Sequence, residues 1–189
     1  MLSKFILSLC LALACCLNVQ AQTTKKHKTI TNKSTAASLE AYRQNFWNHP
    51  PQPSGWTNDF DELFTDEEKA LLDGKISLFE RETTIQICIV TLDSLCVSAK
   101  KFDSLAIHIA KVWGVGVKGK NNGITIVICK DYHKMRICNG NGIKAILSDS
   151  QTKQIIDSNF TPDFKKDAYF DGTWNGLNTL IAALEEASK

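Results

Sequence analysis

Residues Trp113 to Lys130 read WGVGVKGKNNGITIVICK, and the interpretation of this stretch decides the fold. Its second half, Ile124 to Cys129, is an unbroken apolar run rich in β-branched residues, the pattern of a strand covered on both faces. Its first half, KGKNNG, follows a segment in which Phe102, Leu105, Ile109 and Val112 recur at helical spacing, with Lys101, Ser104, His108 and Lys111 on the opposite face. Upstream, Ile85 to Leu92 (IQICIVTL) is a second near-continuous apolar run. Strand, crossover helix and strand therefore form a βαβ unit, whose strands are parallel and whose connection is right-handed.

The flanking segments extend this unit on both sides. Thr65-Asp66-Glu67-Glu68 is a capping box, and Leu72, Ile76 and Phe79 follow at helical spacing, so a helix is expected over Asp66 to Glu82. Lys134 to Cys138 follows the short turn Asp131 to His133, which predicts a third strand antiparallel to the second. Asn139-Gly140-Asn141-Gly142 breaks it. Ser148 to Gln151 is another capping box, opening a helix with Ile155, Ile156 and Phe160 on its face that Pro162 is expected to stop. A last helix over Asp167 to Ala187 carries Trp174, Leu177, Ile181 and Leu184; Gly176 within it is expected to mark close helix packing. The expected architecture is a three-layer α/β/α sandwich: a small mixed sheet, two parallel strands plus one antiparallel, flanked by about four helices.

The N-terminal third has a different character. Met1 to Lys4 is a short positive start, Phe5 to Leu17 is apolar, and Val19-Gln20-Ala21 fits a small-x-small cleavage site, so residues 1–21 read as a signal peptide cleaved after Ala21. The apolar run is shorter than the roughly 20 residues needed to span a bilayer. No transmembrane segment is expected in the mature chain. A competing reading makes Cys15 or Cys16 a lipid-attachment site. Residues 22–54, rich in Thr, Lys, Asn, Ser and Pro, read as a flexible tether with one short helix over Ala36 to Phe46, ahead of a domain over residues 55–187. The expected location is exported, periplasmic or extracellular.

Composition narrows the function classes. The 189-residue chain is 43% hydrophobic and 22% charged with a formal charge of +2, and residues 1–21 contain only Lys4 among charged groups. A mature chain so close to neutral argues against nucleic acid as a partner. Lys25, Lys26, Lys28 and Lys33 concentrate positive charge in the tether. Cys88, Cys96, Cys129 and Cys138 form no CxxC pair and sit mostly in apolar strand patterns, the place of small buried hydrophobes. The four histidines lack zinc-protease spacing, and neither a nucleophile elbow nor Walker spacing occurs.

Asn58-Asp59-Phe60 before a capped helix, IQICIVTL, the Trp113–Gly116 and Lys118–Gly123 blocks, KMRIC, and Gly140-x-Gly142 together resemble the TPM domain over about Trp56 to Leu184. That family is named for a thylakoid lumen protein, a photosystem II repair factor and a nematode receptor modulator. The resemblance implies an exported α/β/α domain, often membrane-tethered, with members linked to acid phosphatase activity, to divalent cations and to maintenance of membrane protein complexes. The chain departs from the family pattern in carrying Asn121, Cys138 and Lys144 where relatives tend to carry acids. A cation site built on those positions loses the charged oxygens that Ca2+ and Mg2+ prefer.

Two candidate sites follow, one at each end of the sheet. KGKNNG and NGNG are expected to meet, so Lys118, Lys120, Asn121, Asn122, Gly140, Asn141, Gly142 and Lys144 form a mildly basic rim with exposed backbone amides suited to an anion. The plain alternative is glycine supplying positive φ in two tight turns. The carboxyl ends of the parallel strands gather Asp59, Asp93 and Asp131, a candidate catalytic carboxylate cluster; Asp59 and Asp131 are also candidate ligands for a hard cation, Ca2+ or Mg2+. The expected function is an accessory binding module contacting an envelope protein or membrane protein complex. The alternative is a divalent-cation-dependent acid phosphatase of low efficiency.

Overall fold

The computed structural model describes residues 35–187; the signal-peptide reading, Cys15, Cys16 and residues 22–34 of the tether lie outside the described residues. By internal contacts the chain divides into two units, Met1–Gln44 and Asn45–Lys189. The described residues of the first unit, 35–44, belong to helix α1 (residues 35–48), whose last residues fall in the second unit; the sequence reading expects this helix over Ala36 to Phe46. The sheet belongs to the second unit.

Four strands run in the order β1 (Thr57–Asp59), β2 (Gln86–Thr91), β3 (Gly123–Cys129) and β4 (Lys134–Asn139). The first three are parallel, and β4 is antiparallel to β3. The sheet thus has one more parallel strand than the sequence reading expects. β1 is three polar residues, too short to show either alternation or an apolar run. Its place is fixed by pairing, with Thr57 opposite Ile89 and the Ile89 N–H donating to the Trp56 carbonyl at 2.7 Å.

Helices α2 (Asp66–Thr83), α3 (Phe102–Trp113), α5 (Asp149–Ile155) and α7 (Tyr169–Ala187) fall where the sequence places them. Both capping boxes form, Thr65 with Glu68 and Ser148 with Gln151. Two short helices, α4 (Asn141–Lys144) and α6 (Thr161–Phe164), complete the set among the described residues after Thr57. Pro162 does not stop the chain's helical course. A π-helical turn at Ile156–Phe160 separates α5 from α6, and Pro162 lies in the first turn of α6, where its missing N–H leaves no helical bond unmade.

The two faces of the sheet are chemically distinct. Ile87, Ile89, Ile124, Ile126, Ile128 and Ile137 point to one side, where they pack with residues of α2, α5 and α7 such as Ile76, Ile155 and Leu180. Cys88, Val90, Val127 and Cys129 point to the other, against Phe102, Leu105 and Ile109 of α3. Strict alternation on strands buried from both sides produces this division. All four described cysteines lie on or beside the α3 face as free thiols, and burial pushes Cys88 up to about 12 and Cys129 up to about 11. Protonated and buried, those two are packing groups rather than nucleophiles.

Residues that composition reads as tether make defined contacts with α3. The Trp47 ring stacks on His108 with centroids 4.3 Å apart, and the Trp113 indole N–H donates to the Pro51 carbonyl at 2.9 Å. His108 is therefore a packing partner rather than a freely solvated helix residue.

Gly176 of α7 lies against Phe160, whose ring carbons would come within 2.1 Å of an added Cβ, whereas Gly74 of α2 has nothing within 4 Å of the same position. Gly176→Ala is expected to destabilise by about 1–3 kcal/mol through overpacking, despite the better helix propensity of alanine. Gly74→Ala is expected to stabilise by about 0.5–1 kcal/mol. Urea melts of both variants check the pair, and a stabilising Gly176→Ala would refute the packing assigned here.

Candidate functional site

The predicted convergence of KGKNNG and NGNG is present in the backbone. Gly140 N–H donates to the Gly123 carbonyl at 2.8 Å and Gly142 N–H to the Asn121 carbonyl at 3.0 Å. Gly140 and Gly142 are not left-handed; those glycines are required because an added Cβ would lie 2.2 Å from the carbonyl oxygens of Asn121 and Lys120. Positive φ belongs instead to Gly114, Gly116, Gly119 and Asn121, and asparagine tolerates that region better than most residues.

Most backbone amides of this rim serve the turn itself. Lys120 and Asn121 N–H both point to the Val117 carbonyl, and Ile143 and Lys144 N–H to that of Gly140. Asn122 is buried and ties three segments together: its Oδ1 accepts from Val117 N–H at 2.8 Å, its Nδ2 donates to the Thr84 carbonyl at 2.7 Å, and its carbonyl accepts from Gln86 N–H at 3.2 Å. Thr84 needs such support, because at φ 65° it is a β-branched residue in the left-handed region. Lys120 Nζ adds a bond to the Thr84 hydroxyl at 3.1 Å, while Lys118 and Asn121 are exposed and Asn141 opens α4. The rim contributes positive side chains, with its amides largely turned inward.

At the opposite end, the three expected aspartates anchor loops. Asp59 accepts from the N–H of Leu63 at 2.9 Å and of Phe64 at 2.8 Å, and from the Thr91 hydroxyl. Asp93 Oδ1 accepts from the N–H of Leu95 and Cys96, each at 2.9 Å. Asp131 accepts from Ser94 N–H at 2.9 Å, and the Ser94 side chain and amide hold its carboxyl below the ordinary range. Among the described residues, no group of three or more His, Cys, Asp or Glu is arranged to hold a metal ion. The donor set as placed does not form a ready cation site.

A fourth acid, Asp61, was not singled out from the sequence. Its N–H donates to the Thr91 hydroxyl at 3.0 Å, and its carboxyl is near enough to Asp131, Asp93 and Asp59 to feel their charges. Burial, followed by the charges of Asp131, Asp93 and Asp59, raises its pKa against the opposing pull of Lys130. No sequence signal marked this acid, because β1 ends at Asp59 and Asp61 lies in the turn that follows. Nearby, Tyr169 lies under Lys130 Nζ, 5.5 Å from the ring centroid, and its hydroxyl is 3.3 Å from His133 Nδ1. Leu63, Lys130, Asp167, Tyr169 and Asp171 are among the lining of a cleft of about 220 Å3 there.

A larger groove, about 690 Å3, lies along β4 between α3 and α5. Met135 to Asn139 line it together with Ile107, Ala110 and Lys111 of α3 and Thr152 and Lys153 of α5, and Gly140, Asn141 and Lys144 close one end. This groove takes in part of the predicted rim and lies apart from the aspartates.

Two outcomes follow from this geometry. Asn122→Ala is expected to cost about 1–3 kcal/mol by leaving buried backbone groups unpaired, while Asn121→Asp stays within about 0.5 kcal/mol of wild type; chemical denaturation separates them, and equal effects would refute the structural role of Asn122. For Asp61 the raised folded-state pKa means the native state binds the proton more tightly, so its penalty is absent below the unfolded carboxylate value and complete above the raised one. Asp61→Asn should therefore raise the urea midpoint at neutral pH and leave it unchanged once both states are protonated; a lower midpoint at neutral pH would show that the charge is stabilising.

The comparisons with known proteins agree with this fold. Residues 57–183 match the TPM domain. The solution structure of the N-terminal domain of a protein from P. gingivalis is similar at 22% identity, covering 76% of this chain and 88% of that one, with a TM-score of 0.64. The BA42 protein from the psychrophilic bacterium Bizionia argentinensis is similar at 20% identity over 68% of this chain and 86% of that one, with a TM-score of 0.58. The N-terminal domain of a Corynebacterium glutamicum protein shares 12% identity over 75% and 84%, with a TM-score of 0.52. No curated protein sequence matches the chain. The match over residues 57–183, with the sandwich fold that carries it, makes this chain a member of the TPM domain family.

Proposed function

We propose that this TPM-domain protein is an exported accessory binding module that contacts a protein or membrane complex at the cell envelope. The observation that carries this reading is the groove of about 690 Å3 along β4, bounded by helices on both sides and lined by polar, apolar, basic and acidic residues, the basic ones in excess. Concave sites of this size with a few polar groups among apolar ones are where ligands bind. Export rests on the signal-peptide pattern of residues 1–21. Among the described residues, no helix is long and apolar enough to cross a membrane.

A second reading, a divalent-cation-dependent acid phosphatase of low efficiency, is favoured by one observation: the Asp61 pKa is raised, by burial first and then by the charges of Asp131, Asp93 and Asp59. A divalent cation at this end would offset the like-charge part of that cost. The engagement of Asp59, Asp93 and Asp131 with loop amides argues the other way.

Purified protein is expected to show no calcium- or magnesium-dependent hydrolysis of p-nitrophenyl phosphate at acid pH, and to retain a specific protein partner from envelope extracts. Metal-dependent turnover abolished by Asp61→Asn would replace the module with the enzyme. Repeated failure to recover any partner would end the module reading.

A further inference from the structure

The module reading leaves open what kind of partner the groove accepts, and the edge of the sheet supplies an answer. In the β3–β4 register Gly123 lies opposite Gly140, and the Gly140 N–H donates to the Gly123 carbonyl. Hydrogen-bonded pairs then recur at every second residue, so Lys134, Arg136 and Cys138 direct their backbone groups to β3. Met135, Ile137 and Asn139 direct theirs away from it. Each presents one N–H and one C=O along the open edge, and these groups have no hydrogen-bond partner among the described residues. Two buried side-chain atoms on the same strand, Arg136 Nε and Asn139 Oδ1, are also unpartnered.

Open edges of this kind accept an added strand, with main-chain bonds supplying affinity and flanking pockets supplying specificity. The walls here have a definite sign. Lys111, Arg136, Lys144 and Lys153 line the groove against Asp103 and Asp149. Arg136 is bonded to Asp103 at 2.9 Å, Lys144 to Asp149 at 3.3 Å and Lys153 to Asp157 at 2.5 Å, which leaves Lys111 as the lining cation outside an ion pair among the described residues and the lining net positive. A second copy of this chain would set one net-positive groove against another, and the chain's own tether carries Lys25, Lys26, Lys28 and Lys33. Both are disfavoured by like charge.

Resting on the module reading, we propose that the groove binds an extended acidic peptide segment of a partner protein, which joins the sheet as a fifth strand beside β4. Its backbone pairs with Met135, Ile137 and Asn139. Its side chains alternate between the α3 wall at Ile107 and Lys111 and the opposite wall at Lys153 of α5 and Ile156 of the π turn.

The test uses capped octapeptides in which Glu or Asp alternates with β-branched or aromatic residues, and a matched set with Lys in place of the acids. Bound acidic peptide is expected to slow amide exchange at Met135, Ile137 and Asn139 by about tenfold or more. N-methylation of every second peptide amide should abolish binding in one phase and spare it in the other, because only one set faces β4. Lys111→Glu with Lys153→Glu, both on exposed residues, should weaken binding by about tenfold, as should raised salt. Binding without protection of these amides, or insensitive to N-methylation in both phases, overturns strand addition while leaving the module reading intact. Equal binding of the lysine set overturns the acidic preference. Failure of every acidic peptide below about 1 mM overturns the proposal even if an envelope partner is found. Protection of the same amides by self-association, detected by sedimentation without peptide, assigns the edge to a second copy and also overturns it.

Discussion

The main chain of Gly123 runs so close to Val115 that a methyl group at its α-carbon would lie 1.8 Å from the Val115 carbonyl oxygen. Gly116, at φ 112°, closes the contact from the other side, 2.5 Å from Gly123 N by the same measure. This approach brings the end of α3 directly onto the start of β3. The crossover is thereby short, β3 enters the sheet between β2 and β4, and every register downstream follows from that entry. Gln86 locks the same point from β2, its Oε1 accepting from Gly116 N–H at 2.7 Å while its backbone N–H takes the Asn122 carbonyl. A side chain at Gly123 would force the helix and the sheet apart.

Much of this was legible in sequence because it depends on periodicity and local capping. The buried runs IQICIVTL and ITIVIC, the two capping boxes and the faces of α3 and α7 each repeat a signal over several residues. β1 repeats none; Thr57, Asn58 and Asp59 become a strand because β2 offers an unpaired edge and because Asn58 gathers Ser54 N–H and the Gly55 carbonyl around its side chain. Pro162 reads as a stop on local rules, yet the π turn before it resets the helix so that proline occupies a starting position. Gly140 and Gly142 read as turn formers and serve instead as points of contact, a distinction set by the neighbouring chain alone.

The candidate sites were legible in the same uneven way. Strand order placed Asp59, Asp93 and Asp131 at one end and KGKNNG with NGNG at the other. What remained hidden was whether each polar group faces solvent or its own backbone. Asp59 binds two amides and a hydroxyl, and Asn122 bonds on three sides, so residues that resemble ligands by type are structural by contact. Asp61 is the reverse case: unremarked in sequence, it has a partly buried carboxyl whose charge is disfavoured first by burial and then by three aspartates.

The residues that carry the family resemblance largely hold backbone in place: Asn58 and Asp59 fix the entry to the sheet, Asn122 and Gly123 fix the crossover, and Gly140 and Gly142 let two loops touch. Such a set specifies the fold whether or not a metal or a substrate ever binds, because each member is required by a contact within the chain. Two features of the described residues stand outside those contacts: the carboxyl of Asp61 at one end of the sheet and the outward backbone groups of Met135, Ile137 and Asn139 along its edge. The first is a single disfavoured charge; the second is a row of donors and acceptors at fixed spacing inside a groove. An edge of that length left open between two helices is a hazard for aggregation unless it is guarded; Lys111 and the excess of basic over acidic side chains along the groove oppose a second copy of the chain, and the same charge is what the proposed acidic strand would meet.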